Sequence, residues 1–327
     1  MKNFFKEIYY EFFNGWQLIK ESIVVLKNHP IILLPLLICW VIYASIIIYL
    51  KYFLNWDNLS MSQGFLIIFI AITTFAAILA ISGLILLELI QQSESGEKMN
   101  LIKAITDVFI RDVCKAFPII VLWAIIWFLL TVISILLSKN TPMEDEDISF
   151  ENVASTLAGY NEISMTQAFI NSLNKGIRMV VFLTMPAIAW DDLGTIKAAK
   201  KSIFLCKIHM KEFAAGYVIT LLAATIIFLP TIAIFYLSDK FHIFIPDFIW
   251  FLVILYSGFA WSFSIFLEQM FAAELYLRHL IWEKECKKAL SMNKKAPKFK
   301  KVRKPLLFDN IYDLKIEEKA EKGEIEL

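Results

Sequence analysis

No Gly-x-Ser-x-Gly elbow, phosphate-cradling glycine loop or dinucleotide fingerprint occurs in this sequence, which removes the most readable signatures of hydrolytic and nucleotide-dependent enzymes. Histidine is scarce, and His29, His209, His242 and His279 are scattered along the chain with no metal-ligand spacing. The acidic run Glu144, Asp145, Glu146, Asp147 and Glu151 lacks the glycine and ligand spacing of a calcium loop and reads as a solvated segment. Of only four cysteines, Cys39 lies within an apolar run, while Cys114, Cys206 and Cys286 fall on the side assigned below to the cytoplasm, so no disulfide is expected. With no catalytic constellation, metal site or cofactor in view, the expectation is a protein that is not an enzyme.

Charge is missing too, in long blocks. The composition is 58% hydrophobic with 28 Phe, above the roughly 45 to 50% apolar content of soluble globular domains. Five uncharged runs, Ile31 to Leu50, Phe65 to Leu87, Phe117 to Leu137, Ala214 to Leu237 and Phe248 to Leu267, can each cross a hydrocarbon core, which takes about 20 helical residues. A sixth is defective. Its uncharged part, Met179 to Trp190, has 12 residues, so it must extend back through Arg178 and Lys175 to about Thr166. Lipid-facing backbone must satisfy its own polar groups, and these runs lack the alternation of barrel strands, so all six read as helices. The resulting fold class is all-α: a six-span polytopic membrane domain over residues 1–283, with spans at about 31–54, 65–88, 117–138, 166–190, 214–237 and 246–268.

Lysine and arginine alternate along the connections. Their numbers run four, one, four, one, five and one, with fourteen after the last span. The positive-inside rule therefore puts both termini in the cytoplasm. About 30 amphipathic residues precede the first span and no small-residue cleavage site follows it, so the N-terminus is expected to stay attached.

The cytoplasmic segments before spans 1, 3 and 5 resemble one another. Leu18-Ile19-Lys20-Glu21, Leu101-Ile102-Lys103-Ala104 and Thr195-Ile196-Lys197-Ala198 recur at intervals of 83 and 94 residues. Each lies in an amphipathic helix with apolar residues mostly at three- and four-residue spacing: Phe5, Tyr9, Phe12, Trp16, Ile19, Ile23 and Leu26; Ile102, Ile105, Phe109 and Val113; Ile196, Ala199, Ile203 and Met210. This suggests three copies of one hairpin unit. Such helices either brace the bundle with their apolar faces or lie in the headgroup layer. In the second case Lys197, Lys200 and Lys201, with Lys287 and Lys288 of the tail, would contact anionic lipid. The tail, 284–327, carries ten basic residues between Lys284 and Lys304, then turns acidic, and is expected to be largely disordered. That basic run also has a simpler reading as a topological signal.

The stretch Pro186 followed by Asp191-Asp192-Leu193-Gly194-Thr195-Ile196-Lys197-Ala198-Ala199-Lys200-Lys201-Ser202 resembles the junction before span 5 in an uncharacterised family of bacterial six-helix membrane proteins. Phe13 to Leu37, with Trp16, Lys20, Ser22 and Pro35-Leu36-Leu37, is similar to that family's approach to span 1, and Ser95-Gly96-Glu97 before Leu101 to its turn after span 2. The likeness covers about residues 1 to 285. More loosely, it extends to the membrane domain fused to some glycerophosphoryl diester phosphodiesterases. The acidic outer loop and the long charged tail depart from the pattern. The resemblance implies architecture and a bacterial inner (plasma) membrane location, and it carries over no site residue.

A site must then be sought where charge sits at membrane depth. In span 4, Gln167, Asn171, Asn174, Lys175 and Arg178 share one helical face. Arg178 lies 12 residues from Trp190, about 18 Å along the helix axis. Charges at such depth generally face the bundle interior or water. Span 6 offers Ser264 and Glu268 on a comparable face, and span 2 ends in Glu88. One reading is a polar cavity between spans 4 and 6 that binds or moves a small, anionic solute or lipid headgroup. Its alternative has Lys175 and Arg178 reaching outward to the interface. A second function class is a non-transporting organiser that gathers anionic lipid or a protein partner through its amphipathic helices and tail. No nucleic-acid partner is expected.

Overall fold

The computed structural model describes residues 16, 19–20, 22–55, 58–94, 97–138, 165–241, 246–299 and 302, and these form helices joined by turns. A 3-10 turn at Pro30–Leu33 leads into α1 (Leu34–Tyr52). Then come α2 (Met61–Glu94), α3 (Leu101–Asp107), a π-helical turn at Val108–Asp112, α4 (Val113–Ser138), α5 (Met165–Ala189), α6 (Thr195–Ile208), α7 (Met210–Phe241) and α8 (Asp247–Ser291). Five stretches are long and apolar enough to cross a membrane by length and composition: Pro30–Leu50, Ser62–Ser93, Leu101–Ser134, Met210–Ser238 and Phe248–Ser291. The helix α5 is not among them, because its polar face lowers its hydropathy.

Local sequence sets the boundaries. Proline opens the 3-10 turn at Pro30 and precedes α8 at Pro246, where a fixed φ and a missing N–H cost nothing. The Asn100 side chain caps α3 by accepting from the N–H groups of Ile102 and Lys103 at 3.0 and 3.2 Å. The segment before α4 is continuous with it through the π turn, rather than a separate helix. A break at His209 separates α6 from α7.

At the centre stands α5, packed against α2, α4, α6 and α8, while the main neighbour of α7 is α8. The core is concentrated toward the end that carries the α2–α3 and α5–α6 turns, here the basic end. There α2 is buried from Ser82 to Ile90, and α8 is almost wholly buried from Ser262 to His279. Toward the opposite end α8 presents Phe248, Phe251, Ile254 and Leu255 outward. The apolar stripes of α3 and α6 also point outward: Ile102 is 76% exposed and Ile196 70%, whereas Ala104, Val108, Ala198 and Ser202 are fully buried. Ile105, Val113 and Ala199 are half-buried.

The helix α8 runs 45 residues and continues through position 284, where the sequence suggested that the tail begins. The chain then reverses at Met292 and Asn293, the latter at φ 54°, and returns along the helix as far as Phe299. The acidic cluster at Glu144 to Glu151, the start of the first amphipathic helix, His242 and the chain beyond 302 lie outside the described residues.

Two glycines are covered by aromatic rings from neighbouring helices. A Cβ at Gly216 on α7 would sit 1.9 Å from the Phe271 ring, and one at Gly258 on α8 would sit 2.6 Å from the Trp40 indole. Gly216→Ala should therefore lower the thermal midpoint in lipid nanodiscs, with a loss of about 1–3 kcal/mol, typical of overpacking. Gly176→Ala, which meets nothing within 4 Å, should leave the midpoint level or raise it.

Candidate functional site

The helix α5 brings Lys175 and Arg178, one turn apart, against Glu268 of α8. Arg178 grips the carboxylate with two parallel bonds, Nε to Oε2 at 2.8 Å and Nη2 to Oε1 at 2.9 Å, the strongest arrangement available to such a pair. Lys175 Nζ stands 3.3 Å from Oε1. The Glu268 side chain is 3% exposed, that of Lys175 9% and that of Arg178 26%. The triad thus holds two cations against one carboxylate.

Its surroundings are ordered by aromatic residues. The Lys175 ammonium lies 5.2 Å from the centre of the Tyr217 ring, whose hydroxyl donates to the Ser172 carbonyl at 3.0 Å and so joins α7 to α5. Tyr43 of α1 donates to the Phe75 carbonyl of α2 and packs against Trp261 of α8. Ser264, one turn from Glu268, donates to its own helix at Ala260 at 2.8 Å. Asn171 is exposed and Asn174 half-buried on the half of α5 nearer Met165, and the Gln167 side chain lies outside the described residues.

Glu268 is followed by Gln269, which faces α2 instead. Its amide is 1% exposed, neither of its polar atoms has a hydrogen-bond partner among the described residues, and it packs against Gly83. A larger residue than glycine there would crowd the amide oxygen, which a new Cβ would meet at 3.2 Å. Nothing in the local sequence distinguishes Gln269 from its neighbours.

The Asp191 to Ser202 stretch forms the corner that fixes α5 at the basic end. Trp190 Nε1 donates to the Leu87 carbonyl at 3.3 Å, and Thr195 Oγ1 to that of Lys115 at 2.6 Å. Ser202 Oγ reaches the Leu183 carbonyl at 3.2 Å. Asp191 accepts from Lys201 at 2.6 Å and from the Tyr276 hydroxyl, while Asp192, at φ 53°, pairs with Lys115. Lys201 therefore turns inward, because its position flanks the buried stripe of Ala198, Ser202 and Leu205. Lys197, Lys200 and Lys288 are exposed, and Lys287 pairs with Glu283 at 3.5 Å.

Two histidines read from sequence as scattered are in fact together. His209 Nε2 and His279 Nδ1 are 3.0 Å apart and buried, joined by tertiary folding across 70 residues. Burial, with lesser contributions from His279 and Arg278, pushes His209 down to about 4. Among the described residues no group of three or more His, Cys, Asp or Glu is placed to hold a metal.

The triad is asymmetric, and that predicts its response to substitution. Glu268→Gln leaves two cations in an apolar setting and should cost about 3–5 kcal/mol, as removal of one partner from a buried pair does. Arg178→Met leaves Lys175 balanced by Glu268 and should cost less, so thermal melts in nanodiscs should rank Glu268→Gln the less stable. Comparisons with protein-family models, with curated proteins and with solved structures find no match for this chain.

Proposed function

We propose that this chain is a six-span protein of a bacterial inner membrane, with both termini cytoplasmic, that binds or moves a small anion or an anionic lipid headgroup at the α5–α8 seam. The observation that carries the reading is the surplus positive charge of the Lys175, Arg178 and Glu268 triad. A charge at membrane depth costs about 2.5–3.5 kcal/mol on insertion scales, and an anion between α5 and α8 would balance it. At 25 residues, α5 is about 37 Å long, enough to be the sixth crossing despite its polar face. The reading assigns no catalysis and no cofactor. Membership of the bacterial family that the chain resembles is part of the same proposal.

The three-hairpin arrangement also belongs here. At the 94-residue offset, Ala104 and Ala198 are both fully buried, as are Val108 and Ser202, while Ile102 and Ile196, Phe109 and Ile203, and Ile110 and Phe204 are all exposed. Ile19, the counterpart of Ile102 in the first segment, is buried, so support for a third copy is weaker than for two.

The outward turn of these residues favours the organiser as a second reading. Apolar side chains facing away from the bundle beside Lys103, Lys197 and Lys200 suit a headgroup layer, where each nearby lysine contributes about 1 kcal/mol of attraction to anionic lipid.

Native mass spectrometry of the protein released from its own membrane separates the two readings. Binding at the seam predicts a retained anion or anionic lipid that is lost in Lys175→Leu/Arg178→Leu and kept in Lys197→Gln/Lys200→Gln. The opposite pattern would sink the first reading and support the second.

A further inference from the structure

The most fully specified cluster outside the α5–α8 seam lies where the tail folds back. His209, at the break between α6 and α7, is 2% exposed, and His279 on α8 is 3% exposed. The His209 ring stacks on Phe299 with centroids 3.7 Å apart, and Trp282 stands edge-on to both rings at 5.7 and 6.1 Å. Trp282 Nε1 donates to the Pro297 carbonyl at 2.9 Å. Arg278 donates to the Phe299 carbonyl at 3.4 Å, with its guanidinium carbon 4.5 Å from the centre of that ring. The returning segment is therefore held by two backbone carbonyls and one ring, and the His209–His279 pair forms its floor.

The neighbours decide how that pair is protonated. The Glu283 carboxylate, 4.0 Å from His279 Nε2, favours the tautomer with its proton there and Nδ1 as a bare acceptor. In that tautomer the acceptor receives the Nε2–H of His209, the two nitrogens being 3.0 Å apart. A further proton on His279 Nδ1 would set two N–H groups head to head. One on His209 would bring a second positive charge beside Arg278 in a buried site. The charged groups facing the pair are Arg278 at His209, and Glu283, Lys201 and Asp191 around His279.

We propose that the His209–His279 pair is an acid-sensitive clasp: with both rings neutral it holds residues 294–299 against the bundle, and protonation releases that segment together with Lys294, Lys295 and Lys298. The sign follows from the closed state. Inside the clasp His209 titrates at about 4 instead of its ordinary 6.5. Closure is therefore fully favoured above pH 6.5 and weakens as the pH falls towards 4. The ratio of open to closed should rise about tenfold per pH unit across that window.

The test uses the full chain in nanodiscs of zwitterionic lipid, with native cysteines replaced and Lys298→Cys carrying a bimane that Trp282 quenches on contact. Fluorescence should be low at pH 7.5 and rise as the pH falls from 6 to 4.5, and Trp282→Phe should be bright throughout. His209→Phe keeps an aromatic ring against Phe299 but cannot titrate, so it should stay quenched at pH 5. His209→Phe/His279→Gln, with no proton to take up at either position, should be independent of pH. A wild-type signal that stays quenched down to pH 4.5 overturns the proposal. So does a pH profile that persists unchanged in the double variant.

Discussion

The rotation of α5 within the bundle turns on one carboxylate, that of Glu268. The helix contacts more of the bundle than a marginally apolar segment would be expected to, with α2, α4, α6 and α8 all packed on it. Lys175 and Arg178 would be costly on its buried side without Glu268, whose bidentate grip by Arg178 turns two isolated charges into a directed contact. Glu268 in turn can sit deep in α8 only because α5 brings cations to it. The central helix and the longest helix thus specify each other's rotation about their own axes, a constraint that apolar contacts alone impose poorly.

That constraint was largely legible in the sequence. Lys175 and Arg178 interrupt an otherwise uncharged run at helical spacing, and Glu268 closes the last apolar run, so charge at depth could be read from position alone. The six helical runs were legible for the same reason. The orientation of the short helices was not. An apolar stripe indicates which face avoids water, and in a chain surrounded by lipid that face can turn outward, as Ile102 and Ile196 do, while Ala104 and Ser202 line the contact. Small residues at helix contacts give a weaker pattern than large apolar ones, although they are what lets backbones approach without a hydrophobic driving force.

What escaped altogether depends on pairing between distant segments. His209 and His279 each look ordinary in their own helix, and only the break after α6 sets their rings together. Gln269 carries no local signal either, because its meaning lies in the glycine opposite it on α2. The extent of α8 is hidden in the sequence for a different reason. Its charge density rises beyond Arg278 and suggests a tail, yet charged residues such as Glu, Lys and Arg are good helix formers, and nothing in the stretch to Ser291 breaks the helix.

The unbroken length of α8 has a mechanical consequence. No proline interrupts it from Asp247 to Ser291, and at about 100° per residue Glu268 and His279 fall within about 20° of each other around the axis, about 16 Å apart along it. One face of a single stiff rod therefore carries both the charged contact and the ring pair. A rigid-body rotation of α8 would therefore shift both contacts at once, with no relay between them.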